Sequence, residues 1–245
     1  MLPRGFINIS NIFIYDKKAK NELRIKNCNG LRDLFSVIVS NSELAWFFFE
    51  SIDVNFDFLG ENMRITGGEL KGRITKCPDG VIRPAMDRMR ESVFAILGDL
   101  SGKSFLDMFS GSGTIAIEAV SRGAERVVLC EKDKIKVNTV LENVSMTEKE
   151  MNKKIECHFI AVELFLKRCK EQFDIIFFDP PFPYGFHEDL INIVSKNNLL
   201  KDNGLVLIHR PAEKKMKDHI GNLTKKDFRI YGRSIVDFYC KKENS

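Results

Sequence analysis

The tetrapeptide Asp179-Pro180-Pro181-Phe182 carries more potential chemistry than any other stretch of this 245-residue chain. Two successive prolines fix φ and remove two N–H donors, so the carbonyls around them are held at set angles. The Asp179 carboxylate and the Pro180 carbonyl can together accept both hydrogens of an exocyclic amine. That fixes the amine and reduces delocalisation of its lone pair into the ring, leaving the pair aimed at an electrophilic methyl. The work is alignment and charge placement, where most of such a barrier is lowered. Phe182 offers a face on which a base can stack. The plain alternative is a rigid turn at a strand end. The preceding apolar run at residues 174–178 and the grouping of acid and aromatic favour chemistry.

A second constellation is Asp107-Met-Phe109-Ser-Gly111-Ser-Gly113-Thr-Ile-Ala116. Glycines let the backbone pass close to a ligand, and a helix opening there offers free N–H groups. Glu131 follows Gly111 by 20 residues, at the end of the next apolar run, where a carboxylate can accept both hydroxyls of an adenosine-type ribose. Gly-x-Gly-x-x-Ala alone also fits a dinucleotide fingerprint, or a turn that only packs helix on strand. Asp107 decides for S-adenosylmethionine: a carboxylate beside the loop repels a pyrophosphate and attracts the ammonium of an amino-acid moiety.

Both motifs need strands that end at one edge of a sheet, and the pattern supplies them. Strands are predicted at 105–109, 126–130, 156–160, 174–178 and 205–209, and helices at 114–122, 134–144, 163–170 and 187–195. Alternating strand and helix implies a parallel sheet covered on both faces. Two strands at 228–231 and 234–240, linked through Gly232, predict an antiparallel edge. Upstream, residues 64–75 alternate around Gly67-Gly68 and predict a hairpin. Asp87 is then the expected N-cap of an amphipathic helix whose apolar face is Met89, Val93, Ile96 and Leu97, ending at Gly98.

Composition sets the outer bounds. The chain is 44% hydrophobic and 29% charged, which excludes collagen, a disordered tail and a pure coiled coil. No run reaches the ~18 apolar residues of a membrane span, and no signal peptide is legible, so a cytoplasmic protein is expected. Six cysteines without a C-x-x-C read as reduced thiols, and no metal is expected. Charge is uneven: residues 1–62 hold 7 basic and 8 acidic residues, against 31 and 26 in the remainder. Arg64, Lys71, Arg73, Arg83, Arg88 and Arg90 gather around the hairpin and helix start. Each alone reads as a surface charge; together, beside a methyl-transfer site, they read as contacts to RNA phosphates. The four histidines, His158, His187, His209 and His219, are scattered and are given no role. Residues 1–62 are rich in Phe, Ile and Asn and weakly periodic. Two readings compete for them: a small accessory element, or an extension translated upstream of a natural first residue at Met63, and the second is favoured because organised pattern begins there abruptly.

From Met63 onward the chain resembles the RsmD family of bacterial methyltransferases. The matching stretches are Arg64-Ile-Thr-Gly-Gly-x-x-Lys-Gly-Arg73, Arg83-Pro84-x-x-Asp87-Arg88-x-Arg90-Glu91, Asp107-x-Phe109-x-Gly111-x-Gly113 and Asp179-Pro-Pro-Phe182. The resemblance implies a Rossmann-like α/β fold, with a mostly parallel seven-stranded sheet and an N-terminal hairpin and helix at 63–98. It also implies methyl transfer from S-adenosylmethionine to the N2 amine of a guanine in 16S ribosomal RNA or a small-subunit particle, by a monomer. Two departures stand out. Ala85 follows Arg-Pro where the family usually has Thr, and Ile160-Ala161-Val162 lacks the polar residue that often holds the adenine amine. A DNA adenine-N6 methyltransferase would use the same Asp-Pro-Pro-aromatic geometry, but little chain remains to read duplex bases. A non-catalytic RNA-binding protein has no need of intact Asp107, Glu131 and Asp179. A nicotinamide-linked dehydrogenase lacks a catalytic His, Tyr or Lys constellation.

Overall fold

A computed structural model describes residues 9–16, 21–28, 63–77 and 84–242. The chain falls into two units, Met1–Phe56 and Asp57–Ser245. In the first, β1 (Ile9–Asp16) and β2 (Asn21–Cys28) pair antiparallel, Ile9 opposite Cys28 and Asp16 opposite Asn21. The weak periodicity of this region predicts no such hairpin; the β-branched and aromatic run Ile12-Phe-Ile-Tyr accounts for one strand of it. Residues 31–39, the aromatic block at 46–49 and Arg83 lie outside the described residues.

The second unit begins with a short hairpin, β3 (Met63–Arg64) and β4 (Ile74–Thr75), followed by α1 (Pro84–Leu97). The alternating part follows: β5 (Ser104–Met108), α2 (Thr114–Ser121), β6 (Arg126–Cys130), a 3₁₀ turn at Lys134–Lys136, α3 (Val137–Met151) and β7 (Ile155–His158). Then come α4 (Val162–Arg168), β8 (Phe173–Phe178), α5 (His187–Lys196) and β9 (Leu200–Pro211). The short β10 (His219–Ile220), β11 (Leu223–Tyr231) and β12 (Ser234–Lys241) close the unit.

The sheet order is β10-β11-β12-β9-β8-β5-β6-β7. Strands β7, β6, β5, β8 and β9 are parallel, and β12, β11 and β10 add the antiparallel edge. Seven strands form the body of the sheet, and the two-residue β10 is an eighth at its rim.

Strict alternation splits the interior into two cores. Phe105, Val127, Leu129, Ile175 and Phe177 face α1, α2 and α3, whereas Leu106, Met108, Val128, Ile176 and Phe178 face α4 and α5. Helix α1 starts at Pro84 rather than beyond Asp87, since proline is well placed in a first helical turn. Its buried stripe is Met89, Val93 and Phe94; Ile96, expected inside, is 42% exposed. The stripe turned because Phe94 stacks on Phe105 with ring centroids 5.9 Å apart, which rotates Ile96 outward.

Candidate methyl-transfer site

From β5 the chain adds β6 and β7 on one side and β8 and β9 on the other. The reversal makes a topological switch point between β5 and β8, and the carboxyl ends of the strands there are where open α/β sheets bind ligands. Both motifs end there. Met108 pairs with Phe178, the last residue of β8, and the Asp179 N–H donates to the Met108 carbonyl at 3.1 Å. A local sequence pattern thus becomes one site.

Asp107 points from β5 to the start of α2. Its Oδ2 accepts from Ser110 Oγ at 2.9 Å and from the Ala116 N–H at 3.1 Å. Its Oδ1 is buried without a hydrogen-bond partner among the described residues. Burial dominates its titration and pushes the carboxyl up to about 7, opposed by the Ser110 hydroxyl and the Ala116 N–H and reinforced by Asp179 and Glu131. Burial of this kind disfavours the charged form, and an opposite charge beside it would favour that form. Phe109 then turns the chain with φ 63°, a left-handed value rare for an aromatic residue, and its ring meets Tyr184 edge-on at 5.2 Å. Gly111 has φ +60°, and a Cβ there would meet no atom within 4 Å, so the loop backbone borders open space. Gly113 leads into α2.

Glu131 is 5% exposed and closes the loop from β6. Its Oε2 accepts from the Gly111 N–H at 2.8 Å and its Oε1 from the Asp133 N–H at 2.9 Å. An ionised carboxylate has about four acceptor positions, so each oxygen keeps capacity for a hydroxyl. Lys136 Nζ stands 3.7 Å from Oε2.

On the other side of the switch point Asp179 Oδ1 lies 2.7 Å from His209 Nδ1, and Phe182 meets the His209 ring at 5.9 Å. Oδ2 of Asp179 carries no hydrogen bond to a described residue. The sequence offers no role for His209, and the fold places it against Asp179 and Phe182. Only the pairing of β8 with β9, Phe178 opposite Ile208, sets His209 beside Asp179. Tyr184 was also missed: its hydroxyl donates to Glu163 Oε1 at 2.6 Å, which fixes the ring beneath Phe109 and Phe186. Phe186 itself is 64% exposed.

The hairpin motif has a structural explanation. Glu118 of α2, fully buried, accepts from the Thr66 N–H at 2.8 Å, Thr66 Oγ1 at 2.7 Å, the Gly67 N–H at 2.9 Å and Arg122 Nε at 3.0 Å. Gly68 has φ +75°, and a Cβ there would lie 1.9 Å from the Ser121 carbonyl oxygen, so only glycine allows this approach. Arg90 is corrected by the same contact. It is 2% exposed, donates from Nη2 to the Arg64 carbonyl at 2.6 Å and ion-pairs Asp87 at 3.1 Å. Its guanidinium pins the hairpin to α1 and is not presented to solvent. Arg64, Lys71 and Arg88 are exposed, and Arg73 is exposed but pairs with Glu150. The far end of the hairpin touches the glycine loop. Thr75 Oγ1 lies 2.9 Å from Thr114 Oγ1, and Asn143 bridges the carbonyls of Lys76 and Ser112.

Residues 63–240 match the model of a family described as conserved hypothetical protein 95. The ribosomal RNA small subunit methyltransferase D of Haemophilus influenzae is 34% identical over 159 residues, covering 62% of this chain and 80% of that protein. The chain belongs to the RsmD family. Among solved structures, the Escherichia coli protein yhhF is 27% identical with a TM-score of 0.67, over 74% of this chain and 98% of that one. SMU.776, solved in complex with S-adenosylhomocysteine, shares the fold at 18% identity and a TM-score of 0.53, over 66% of this chain and 51% of that one. The RsmD-family region of this chain is therefore a Rossmann-like methyltransferase fold with the loop after β5 and the Asp-Pro-Pro-Phe turn at its switch point.

Proposed function

We propose that this chain transfers a methyl group from S-adenosylmethionine to the exocyclic N2 amine of a guanine in 16S ribosomal RNA. The observation that carries the reading is Asp179. Its carboxylate sits at the carboxyl end of β8 with Oδ1 engaged by His209 and Oδ2 without a hydrogen bond to a described residue, immediately before two prolines and next to the loop that follows β5. The name borne by the Haemophilus influenzae relative favours ribosomal RNA over DNA as the source of the amine.

The residues present fit the cofactor. Asp107 Oδ1, without a hydrogen-bond partner among the described residues, matches an ammonium, the spare acceptor positions of Glu131 match two ribose hydroxyls, and the open backbone at Gly111 leaves room for a ligand. S-adenosylmethionine supplies an electrophilic methyl on a sulfonium; the remaining work belongs to the protein. Asp179 Oδ2 and the Pro180 carbonyl accept the two amine hydrogens and orient the nitrogen lone pair. The face of Phe182 stacks on the base. After transfer the surplus proton leaves the nitrogen for water or Asp179. Arg64, Lys71, Arg73, Arg83 and Arg88 contact phosphates and position the RNA without reading its sequence. For Arg73 a phosphate competes with Glu150 for the guanidinium.

Mass-spectrometric mapping of methylated guanines in 16S RNA, from cells with and without the gene, tests the reading. One N2-methylguanosine should vanish with the gene and return with the wild-type gene but not with Asp179→Ala. In vitro, Asp179→Ala should slow methyl transfer by ~100-fold or more while S-adenosylmethionine still binds, the scale of losing a positioned electrostatic contact. An unchanged guanine pattern, or methyl on another base, refutes it.

A further inference from the structure

The geometry points to His209 as a positioning residue of the acceptor site: it fixes the Asp179 carboxylate so that Oδ2 faces the amine to be methylated. The inference rests on the reading of Asp179 given above and adds the group that orients it.

Three observations carry it. His209 Nδ1 lies 2.7 Å from Asp179 Oδ1, so one carboxylate oxygen is tethered and the other is left for substrate. The same ring meets Phe182 nearly edge-on, 5.9 Å between centroids, which ties the stacking residue and the amine acceptor to one side chain. Third, His209 is 5% exposed and its Nε2 is buried with no hydrogen-bond partner among the described residues. Leu207, two residues earlier on the same face of β9, and Val236, paired with His209 from β12, are fully buried and apolar. An apolar residue at 209 would leave no orphaned nitrogen. The Nδ1 contact with Asp179 gives the histidine a partner that packing alone does not require. With no partner for Nε2 among the described residues, the tether to Asp179 sets the tautomer: Nδ1 carries the hydrogen and donates it to the carboxylate.

The test compares full-length wild type, Asp179→Ala, His209→Leu, His209→Asn and the double variant Asp179→Ala/His209→Leu. Methyl transfer to small-subunit particles is measured with S-adenosylmethionine affinity and thermal midpoint as separate readouts. His209→Leu should lower kcat roughly 10- to 100-fold, the scale of misplacing a reacting group by an ångström. Its cofactor affinity should stay within about twofold and its thermal midpoint at or above wild type, which a structural role would not give. His209→Asn, whose amide N–H can take the place of Nδ1–H, should keep kcat within about threefold of wild type. In the Asp179→Ala background His209→Leu should cost nothing further, because the tethered group is gone.

Wild-type turnover in His209→Leu overturns the inference while leaving Asp179 intact, provided Asp179→Ala is slow. An Asn variant as poor as Leu, or an additive loss in the double variant, also overturns it. Equal losses of activity and thermal midpoint in both His209 variants make the residue structural. Wild-type turnover in Asp179→Ala overturns the reading of Asp179 and this inference with it.

Discussion

If Asp107 holds the cofactor's ammonium as proposed, cofactor binding should depend on pH. The Asp107 carboxyl is wholly buried and pushed up to about 7 by desolvation, against an ordinary value of 3.8, and its Oδ1 has no hydrogen-bond partner among the described residues. An ammonium interacts with the ionised form only, so binding competes with a proton. Below about pH 7 the affinity for S-adenosylmethionine should fall toward a limit of one order of magnitude per pH unit, or ~10-fold from pH 7.5 to pH 6 and ~100-fold to pH 5. Calorimetry at pH 6 in buffers of different ionisation enthalpy should show close to one proton released per cofactor bound, fading above pH 8. The stability sign follows from the same shift. The folded carboxyl holds its proton more tightly than the unfolded one, so its contribution is fully present below 3.8 and is lost as pH rises through about 7. Cofactor should therefore raise the thermal midpoint more at pH 8 than at pH 6. Asp107→Asn should bind weakly and lose this dependence. Methylthioadenosine, which lacks the amino-acid moiety, should show little pH dependence with the wild type. A flat affinity profile for S-adenosylmethionine between pH 5 and 7.5, with no proton released, refutes the argument.

Glu131→Ala should weaken S-adenosylmethionine binding by about 1.5–3 kcal/mol, the loss of a charged acceptor, and calorimetry showing unchanged affinity would remove it from the site. Glu118→Ala leaves Arg122 and two backbone N–H groups of the hairpin without their buried acceptor, and urea unfolding should show a loss of roughly 3–5 kcal/mol; a loss below ~1 kcal/mol, on the scale of an exposed pair, would mean that Glu118 does not anchor the hairpin. Gly68→Ala should lower the thermal midpoint, since both φ and the Ser121 carbonyl oppose a side chain, and an unchanged midpoint would show that the hairpin shifts freely. A protein starting at Met63 should be soluble, bind cofactor and methylate RNA as the full chain does; aggregation or lost activity in side-by-side purification would make residues 1–62 part of the working protein.

The sequence determined what depends on neighbours along the chain. Strand and helix alternate with periods that survive any packing, so residues 174–178 announce a buried strand and the loop after β5 a ligand-bearing turn. Asp107, Gly111 and Glu131 are legible because a βαβ unit fixes their mutual placement through local connections alone. Tertiary structure decided everything that needed a register between distant segments. His209 stands 30 residues from Asp179, and only the parallel pairing of β9 with β8 makes them partners. Glu118 reads as an ordinary helical acid until the hairpin, 51 and 52 residues earlier, arrives to bury it. Arg90 went the opposite way: its basic neighbours mark it as a phosphate contact, but its side chain turns inward to the Arg64 carbonyl. Charge type is a property of the residue, whereas the direction it faces is set by which surface folds onto it.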